Sequence, residues 1–517
     1  RPDRPPKGRR LAANRVREIA DAVAKVRAER RRAERSTREV FLKGADRWQV
    51  SYYARAAPGR PRREIAQVLV DDRTGGVLEA WTGYQVAWTM ARGYEGAFGR
   101  KVNSPWVWIP LAIAFVVPFV DPRRPRRLLH LDLLVLSAFS ASLAFFNAAD
   151  VGTSVPLVYP LLVYLLGRML WVGLRRRGAE EQAARPLRLL VPVTYLAIAV
   201  VFLLGFRVAL NVTSSNVIDV GYAGVLGADR IGDGRELYGA FPQDNQHGDT
   251  YGPANYAAYV PFEQAVPWSG SWDDLPAAHG AAIAFDLLAC LLCFLIGRRV
   301  RGPGLGIVLA YAWVTFPFTL YVSMTNANDG LVAVLVLAAL WAASSAPARG
   351  AFVALAGLTK FAPLALAPLF ALHRPVGSER GRVRAAALFA LAFAATAALA
   401  FVPVLAHSDL RGFWDATIAF QAERGSPFSV WGLYDGGWLD TLQRGVQVAA
   451  AVGAVALALV PRRRDLVGLA ALSAAILIAL QLGITHWFYL YIPWFFPLVM
   501  IALLGRWGEP GREPARA

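Results

Sequence analysis

Residues 187–222 read LRLLVPVTYLAIAVVFLLGFRVALNVTSSNVIDVGY, and the change of chemistry near residue 211 decides the fold. The stretch 187–211 is apolar enough, and long enough, to cross a hydrocarbon core of about 30 Å as a helix. The adjoining stretch 212–276 is acidic, aromatic and Gly-rich: Asp219, Asp229, Asp233, Glu236, Asp244, Asp249, Glu263, Asp273 and Asp274 stand against only Arg230 and Arg235. Carboxylates gathered where a span ends point to chemistry at the membrane surface, because an ionised group in hydrocarbon is costly and one at its edge is usable.

The rest of the chain repeats the apolar pattern. With 56% hydrophobic and 18% charged residues and a mean hydropathy of +0.37 over 517 residues, it supplies about a dozen segments of spanning length. This is the composition of a polytopic membrane protein, mainly α. The net charge of +18 comes mostly from Arg in short loops, which topology explains through basic cytoplasmic loops. No basic patch interleaved with aromatics forms a nucleic-acid module, so nucleic acid is excluded as a partner. Cys290 and Cys293 lie inside an apolar segment, where packing, not redox or metal chemistry, is expected.

The predicted spans are 105–120, 128–148, 154–174, 187–211, 277–297, 303–322, 328–345, 383–406, 443–460, 465–483 and 486–505. Five basic clusters separate them and should face the cytoplasm: Arg123/Arg124/Arg126/Arg127, Arg175/Arg176/Arg177, Arg298/Arg299/Arg301, Arg374/Arg380/Arg382/Arg384 and Arg462/Arg463/Arg464. Alternation works everywhere except at 349–372, whose two ends are both basic. A re-entrant hairpin broken near Gly357-Leu358-Thr359-Lys360-Phe361-Ala362-Pro363 resolves the conflict. Eleven spans plus one hairpin put the N-terminus outside, the C-terminal tail 508–517 inside, and the stretches 212–276 and 407–442 together on the outer face. The chain opens on Arg1, so a cleaved signal peptide or a trimmed start is expected upstream.

Ahead of the first span, 11–40 reads as a basic helix, Trp48-Val50-Tyr52 and Ile65–Val70 as strands, and Asp71-Asp72-Arg73-Thr74-Gly75-Gly76 as a turn into Val77–Trp81. The arrangement RWQVSYY…EIAQVLVDDRTGGVLEAWTG resembles PepSY-like domains over residues 15–83. That resemblance implies an extracytoplasmic, non-catalytic unit with a regulatory or docking role. The expected division is 1–103 for this small α+β domain, 104–186 for three accessory spans, 187–507 for the main membrane domain, and the tail.

Several residues offer chemistry. Asp219, just beyond the outer end of a span, is placed for a partly desolvated base; a helix cap reads equally well from position alone. The run 247–263 mixes Asp249, Tyr251, Asn255 and Glu263 with aromatics, a surface that suits sugars, whose C–H faces stack on rings and whose hydroxyls need carboxylates and amides. Trp431 and Tyr489 belong to the same aromatic-polar class. Lys360, ionisable in a broken apolar segment, marks an anionic partner such as a phosphate or else a Lys snorkelling to the interface. Arg424 and His486 are further phosphate candidates from the outer stretches. His247 and Asp249 lack a defined third metal ligand, so a metal is compatible but not predicted.

From about 187 to 505 the chain resembles GT-C-type integral membrane glycosyltransferases, closest to glycosyltransferase family 87. The resemblance rests on Asp219 soon after a span and then, in order, on GRELYG, DTYGPANYAAYVPFE, NANDGLVA, GLTKFAP, RGSPFSVWGLY and THWFYLYIPWFFP. It implies a GT-C-like bundle in the cytoplasmic membrane, a polyprenyl-phosphate sugar as donor, an envelope glycan, lipid or protein as acceptor, inversion at the anomeric carbon, and Asp219 as general base. A transporter or flippase, or a sensor built on the PepSY-like unit, is the alternative. Transporters bind at the midplane, often between inverted repeats, whereas the polar residues here collect in outer stretches and no repeat is apparent.

Overall fold

The computed structural model describes residues 2–33, 35–44, 46–55, 62–93, 98–175, 185–373, 381–434, 436–460 and 463–510. Arg176, Arg177, Arg374, Arg380 and Arg462 lie outside the described residues, and so does most of the tail 508–517. The chain forms two compact units, Arg1–Tyr94 with Ala144–Val151, and Glu95–Leu143 with Gly152–Ala517.

The first unit is a small α+β body. Four antiparallel strands, β1 (Ser36–Lys43), β2 (Arg47–Ala54), β3 (Glu64–Asp71) and β4 (Val77–Thr82), pair in sequence order. Alternation puts Trp48, Val50 and Tyr52 of β2 and Val68 and Val70 of β3 in a core with Val16, Ala20 and Val26, which come from the helices Ala13–Asp21 and Ala24–Arg32. The expected helix 11–40 is thus shorter and broken. Ser36-Thr37-Arg38-Glu39-Val40-Phe41-Leu42-Lys43 pairs with β2, Val40 opposite Val50, because its β-branched and aromatic residues gain more from a ladder than from helix. The 71–76 turn forms as read: the Asp71 carboxylate accepts from the Thr74 N–H at 2.7 Å, and Gly75 takes φ +70°.

The second unit is a multi-pass helical bundle. Seven helices are long and apolar enough to cross a membrane: Leu128–Asn147, Val151–Leu174, Val193–Ser214, Pro276–Arg301, Val383–His407, Gly437–Leu459 and Leu466–Gly483. The predicted span 303–322 exists as a pair, Pro303–Thr315 and Pro317–Met324, bent by 58°, because Pro317 has no N–H to continue the ladder. The remaining predicted spans are shorter apolar helices, Pro105–Phe119, Asp329–Trp341 and Tyr489–Leu504. The span beginning at 187 turns helical only at Val193, after Pro192; residues 187–190 are pinned instead to Gly508 and Pro118 by backbone hydrogen bonds of 3.2 and 2.8 Å.

The described basic loops gather at one end. Arg127 stacks over Trp507 at 4.4 Å, Arg301 donates to the Trp507 carbonyl at 3.2 Å, and the Arg463 N–H donates to the Gly173 carbonyl at 3.1 Å. The re-entrant reading of 349–372 describes the path of that segment. The helix Ala346–Thr359 leaves the basic end, Lys360 reaches Asp329 at the far end of Asp329–Trp341, and Ala362–Ala371 returns until the His373 carbonyl accepts from Arg349 at 3.3 Å. Buried ion pairs hold the interior: Arg168 grips Asp132 at 2.8 and 3.0 Å, and Arg207 grips Asp286, which also accepts from Trp313 Nε1 at 2.9 Å.

Candidate functional site

The acid-rich stretch 212–276, expected to be a loop, is largely folded. Its two helices, Asp219–Gly232 and Pro253–Ala265, pack against each other. The reason is a glycine face: Gly221, Gly224 and Gly227 recur every third residue, and a Cβ on Gly224 or Gly227 would meet the Tyr259 ring at 2.6 Å or the Tyr256 ring at 2.1 Å. Only bare backbone lets those tyrosines lie flat on the helix. Both tyrosines are fully buried as a result.

Asp219 is the first residue of the Gly-faced helix, where the unpaired N–H groups of the first turn favour negative charge. It is exposed, yet protein surrounds it closely enough that burial raises its pKa above the usual carboxylate value. The Val220 N–H, Arg424 and Lys360 oppose that rise. A carboxylate that is reachable yet partly desolvated has the raised basicity that a general base requires.

Asn326 fixes the approach to Asp219. It sits at φ +53°, a left-handed conformation uncommon outside Gly and Asn. Its side-chain amide donates to Ser215 Oγ at 3.0 Å and to the Asn216 carbonyl at 2.9 Å, while its Oδ1 accepts from Asn211 at 2.9 Å. The Ile218 N–H donates to the Thr325 carbonyl at 3.2 Å. The segment leading into Asp219 is therefore tied to the turn leading into Asp329.

At that turn Lys360 Nζ meets Asp329 Oδ1 at 2.7 Å, with Asp329 fully buried. Trp494 Nε1 donates to the same oxygen at 3.0 Å. The rings of Tyr251, Tyr491 and Trp494 surround the ammonium, with centroids 5.3, 5.2 and 5.4 Å away. Tyr251 reaches it because Gly252 lies against the hairpin tip, where a Cβ would come within 2.0 Å of the Leu358 carbonyl. Lys360 is thus held in an aromatic cage by a carboxylate, not snorkelled to the basic end. Asp329, Trp494 and Asn326 are the residues that sequence reasoning did not place in the site. The juxtaposition of an acid in NANDG with a Lys in GLTKFAP was the available signal.

The stretch 407–436 closes over this end. His247 stacks on Phe420 at 4.5 Å, Gln421 donates to Thr250 Oγ1 at 2.7 Å, and the Leu237 N–H donates to Ser408 Oγ at 2.8 Å. Arg424 from this stretch acts on Asp219, Tyr251 and His486. His486 Nδ1 pairs with Ser426 Oγ at 2.9 Å.

Asp219, Lys360, Arg424, His486 and Tyr251 therefore come together. The other sequence candidates have structural partners. Asn255 is buried and accepts from Asn328 at 2.7 Å; Asp249 accepts from the Gly239 N–H at 2.7 Å; Glu263 accepts from the Trp268 N–H at 3.2 Å. Trp431 Nε1 donates to the Leu482 carbonyl at 2.8 Å, and the Tyr489 hydroxyl is shared between Ser142 and Ser154, each at 2.7 Å.

No curated protein matches the chain. Residues 250–483, which include Asp329, Lys360 and Arg424 and stop short of Asp219 and His486, match the model of Glycosyltransferase family 87. Over residues 250–483 this multi-pass membrane protein is thus similar to Glycosyltransferase family 87.

Proposed function

We propose that the chain moves a sugar from a polyprenyl-phosphate donor to an envelope glycan, lipid or protein acceptor with inversion at the anomeric carbon, Asp219 acting as general base. The convergence of one reachable carboxylate, Asp219, with the cations Lys360 and Arg424 at the acid-rich end of the bundle carries this reading. The helix Asp329–Trp341 rises only about 20 Å at 1.5 Å per residue, less than the ~30 Å hydrocarbon core. A site at the end of so short a helix suits a donor whose phosphate is tethered to lipid and an acceptor hydroxyl arriving from the opposite side. By the charge of the loops, this end faces the outside of the cytoplasmic membrane. The small α+β unit is then an extracytoplasmic, PepSY-like docking or regulatory module.

The step balances. The acceptor O–H proton passes to Asp219 as the acceptor oxygen bonds to the sugar C1, and the C1–O bond to phosphate breaks on the opposite face. One negative charge thereby leaves Asp219 and appears on the departing polyprenyl phosphate, which goes from monoanion to dianion. Lys360 and Arg424 both act on Asp219, and on this reading their field stabilises the charge as it moves to the leaving phosphate. General-base catalysis contributes about 10²–10⁴-fold; positioning and charge stabilisation must supply the remainder.

The test is transfer from a purified polyprenyl-phosphate sugar in nanodiscs, coupled to lipid analysis of a deletion strain. The expected results are loss of transfer in Asp219→Asn and accumulation of the lipid-linked sugar in the strain. Retention of most activity by Asp219→Asn would remove the base assignment.

A further inference from the structure

At the opposite, basic end a cavity of about 1260 Å³ opens beside the strap 185–192. Among the described residues its polar wall carries Arg123, Arg124, Arg127, Arg185 and Arg188 against a single carboxylate, Asp121. Topology requires basic loops on this side, but not that guanidiniums from two separate segments converge on one groove. The convergence is built. The strap is tied down on both sides of Arg188, by Leu187 N–H to the Gly508 carbonyl at 3.2 Å and Leu190 N–H to the Pro118 carbonyl at 2.8 Å. Arg127 lies over the Trp507 ring at 4.4 Å. Asp121 is buried and already accepts from the Arg123 N–H at 3.1 Å.

These positive charges repel one another. Burial, together with Arg124 and Arg188, presses the Arg127 guanidinium below its ordinary pKa, with Asp121 opposing. An anion in the groove would relieve that repulsion, and Arg forks match phosphate oxygens in bidentate geometry.

The other wall is apolar. Leu187, Leu190 and Val193 line it, and beyond them the helix Val193–Ser214 presents exposed Tyr195, Ile198, Val201 and Phe202 along its length. The groove therefore joins a polycationic floor to a surface that faces hydrocarbon, which is the amphipathic pattern of a phospholipid and not of a soluble phosphate.

We infer that this groove is a binding site for an anionic glycerophospholipid, its headgroup phosphate held by Arg124, Arg127 and Arg188 and its acyl chains lying along the helix Val193–Ser214. Basic pockets between spans on the cytoplasmic side are the sites where such headgroups bind. The groove shares no residue with the proposed sugar-transfer site around Asp219 and Lys360.

The test uses the full chain in detergent, titrated with phosphatidylglycerol, phosphatidylcholine or inorganic phosphate, with thermal unfolding and lipid retention in native mass spectrometry as readouts. Phosphatidylglycerol should raise the unfolding temperature saturably and stay bound, with phosphatidylcholine and inorganic phosphate doing neither. The double variant Arg124→Gln/Arg188→Gln should bind phosphatidylglycerol at least about tenfold more weakly, the loss expected when charge-assisted hydrogen bonds worth about 1.5–3 kcal/mol are removed; Arg124→Lys/Arg188→Lys should retain part of the affinity. Equal stabilisation by inorganic phosphate would replace the lipid with a soluble anion. An unchanged phosphatidylglycerol response in the Gln variant, or equal retention of phosphatidylcholine, would overturn the site. If the Gln variant fails to fold, lipid retention by the Lys variant decides: affinity equal to wild type for both lipids overturns the proposal.

Discussion

Lys360 separates a catalytic from a structural account of the site, and its partner makes a single substitution ambiguous. Asp329 is fully buried and Lys360 is only 11% exposed in its side chain. Two unit charges near 4 Å at an effective dielectric of 20 interact by about 4 kcal/mol, and removing one member of a buried pair costs about 3–5 kcal/mol because the other is stranded. Lys360→Met should therefore destabilise the protein by about that amount, whatever Lys360 does for substrate. Adding Asp329→Asn removes the stranded carboxylate, and the double variant should recover most of the lost stability, since replacing both partners is often near neutral. If Lys360 holds the donor phosphate, activity does not recover with stability: the donor KM rises, or kcat falls, in the double variant as in the single one. Lys360→Arg keeps the charge and should retain more donor use than Lys360→Met, reduced by the misfit of a planar fork in a cage shaped for an ammonium. Thermal unfolding in detergent and transfer from a lipid-linked donor give the two readouts. Wild-type kinetics in the stabilised double variant would refute the phosphate role and leave Lys360 as a strut for Asp329.

Asp219→Asn should lower transfer by about 10²–10⁴-fold. Burial raises the Asp219 pKa, so kcat/KM should climb with pH through an acid limb above the usual carboxylate range, and that limb should vanish in the Asn variant. Because the folded pKa lies above the unfolded one, folded protein holds the extra proton and Asp219 costs stability as pH rises through that window; Asp219→Asn should unfold no earlier than wild type at neutral pH, as calorimetry can check. Gly227→Ala should destabilise by about 1–3 kcal/mol through overpacking, since its Cβ would reach Tyr256 at 2.1 Å; unchanged thermal unfolding would mean that the Gly face is not what seats the helix. Cysteines at Ala346 and Ser378, the latter outside the described residues, should be labelled from the same side, and labelling from opposite sides would eliminate the re-entrant hairpin.

The bundle was legible because hydropathy and loop charge report directly on bilayer physics. Each of the eleven predicted spans has a helix, and the break at Lys360 where 349–372 folds back was placed from the sign of its flanks. What hydropathy misses is helix formed for another reason. Asp219–Gly232 and Pro253–Ala265 are too polar to span and too rich in Gly to score as helix, since Gly costs about 1 kcal/mol per residue against Ala. The every-third spacing of Gly221, Gly224 and Gly227 was the readable sign, because that period puts bare backbone on one helix face. β1 was missed for a simpler reason: charged neighbours at Arg38, Glu39 and Lys43 mask its alternation.

The site was half legible for a physical reason that also bears on its mechanism. A sequence shows which ionisable residues occur near span ends, so Asp219, Lys360 and Arg424 stood out singly. It does not show which acid neutralises which base, and that pairing sets the charge available to a substrate. Asp329 pairs with Lys360, while among the described residues Asp219 makes no ion pair. The two carboxylates are therefore not equivalent: Asp329 is locked by Lys360 and Trp494 and serves as a fixed counter-charge, whereas Asp219 keeps a reachable oxygen and a raised proton affinity. The Lys360 ammonium, held by a carboxylate and lying among three aromatic rings, is a cation fixed in place by the fold. On the proposed reading, a donor phosphate arriving beside Asp219 would meet a cation already in place, with less reorganisation than water would demand.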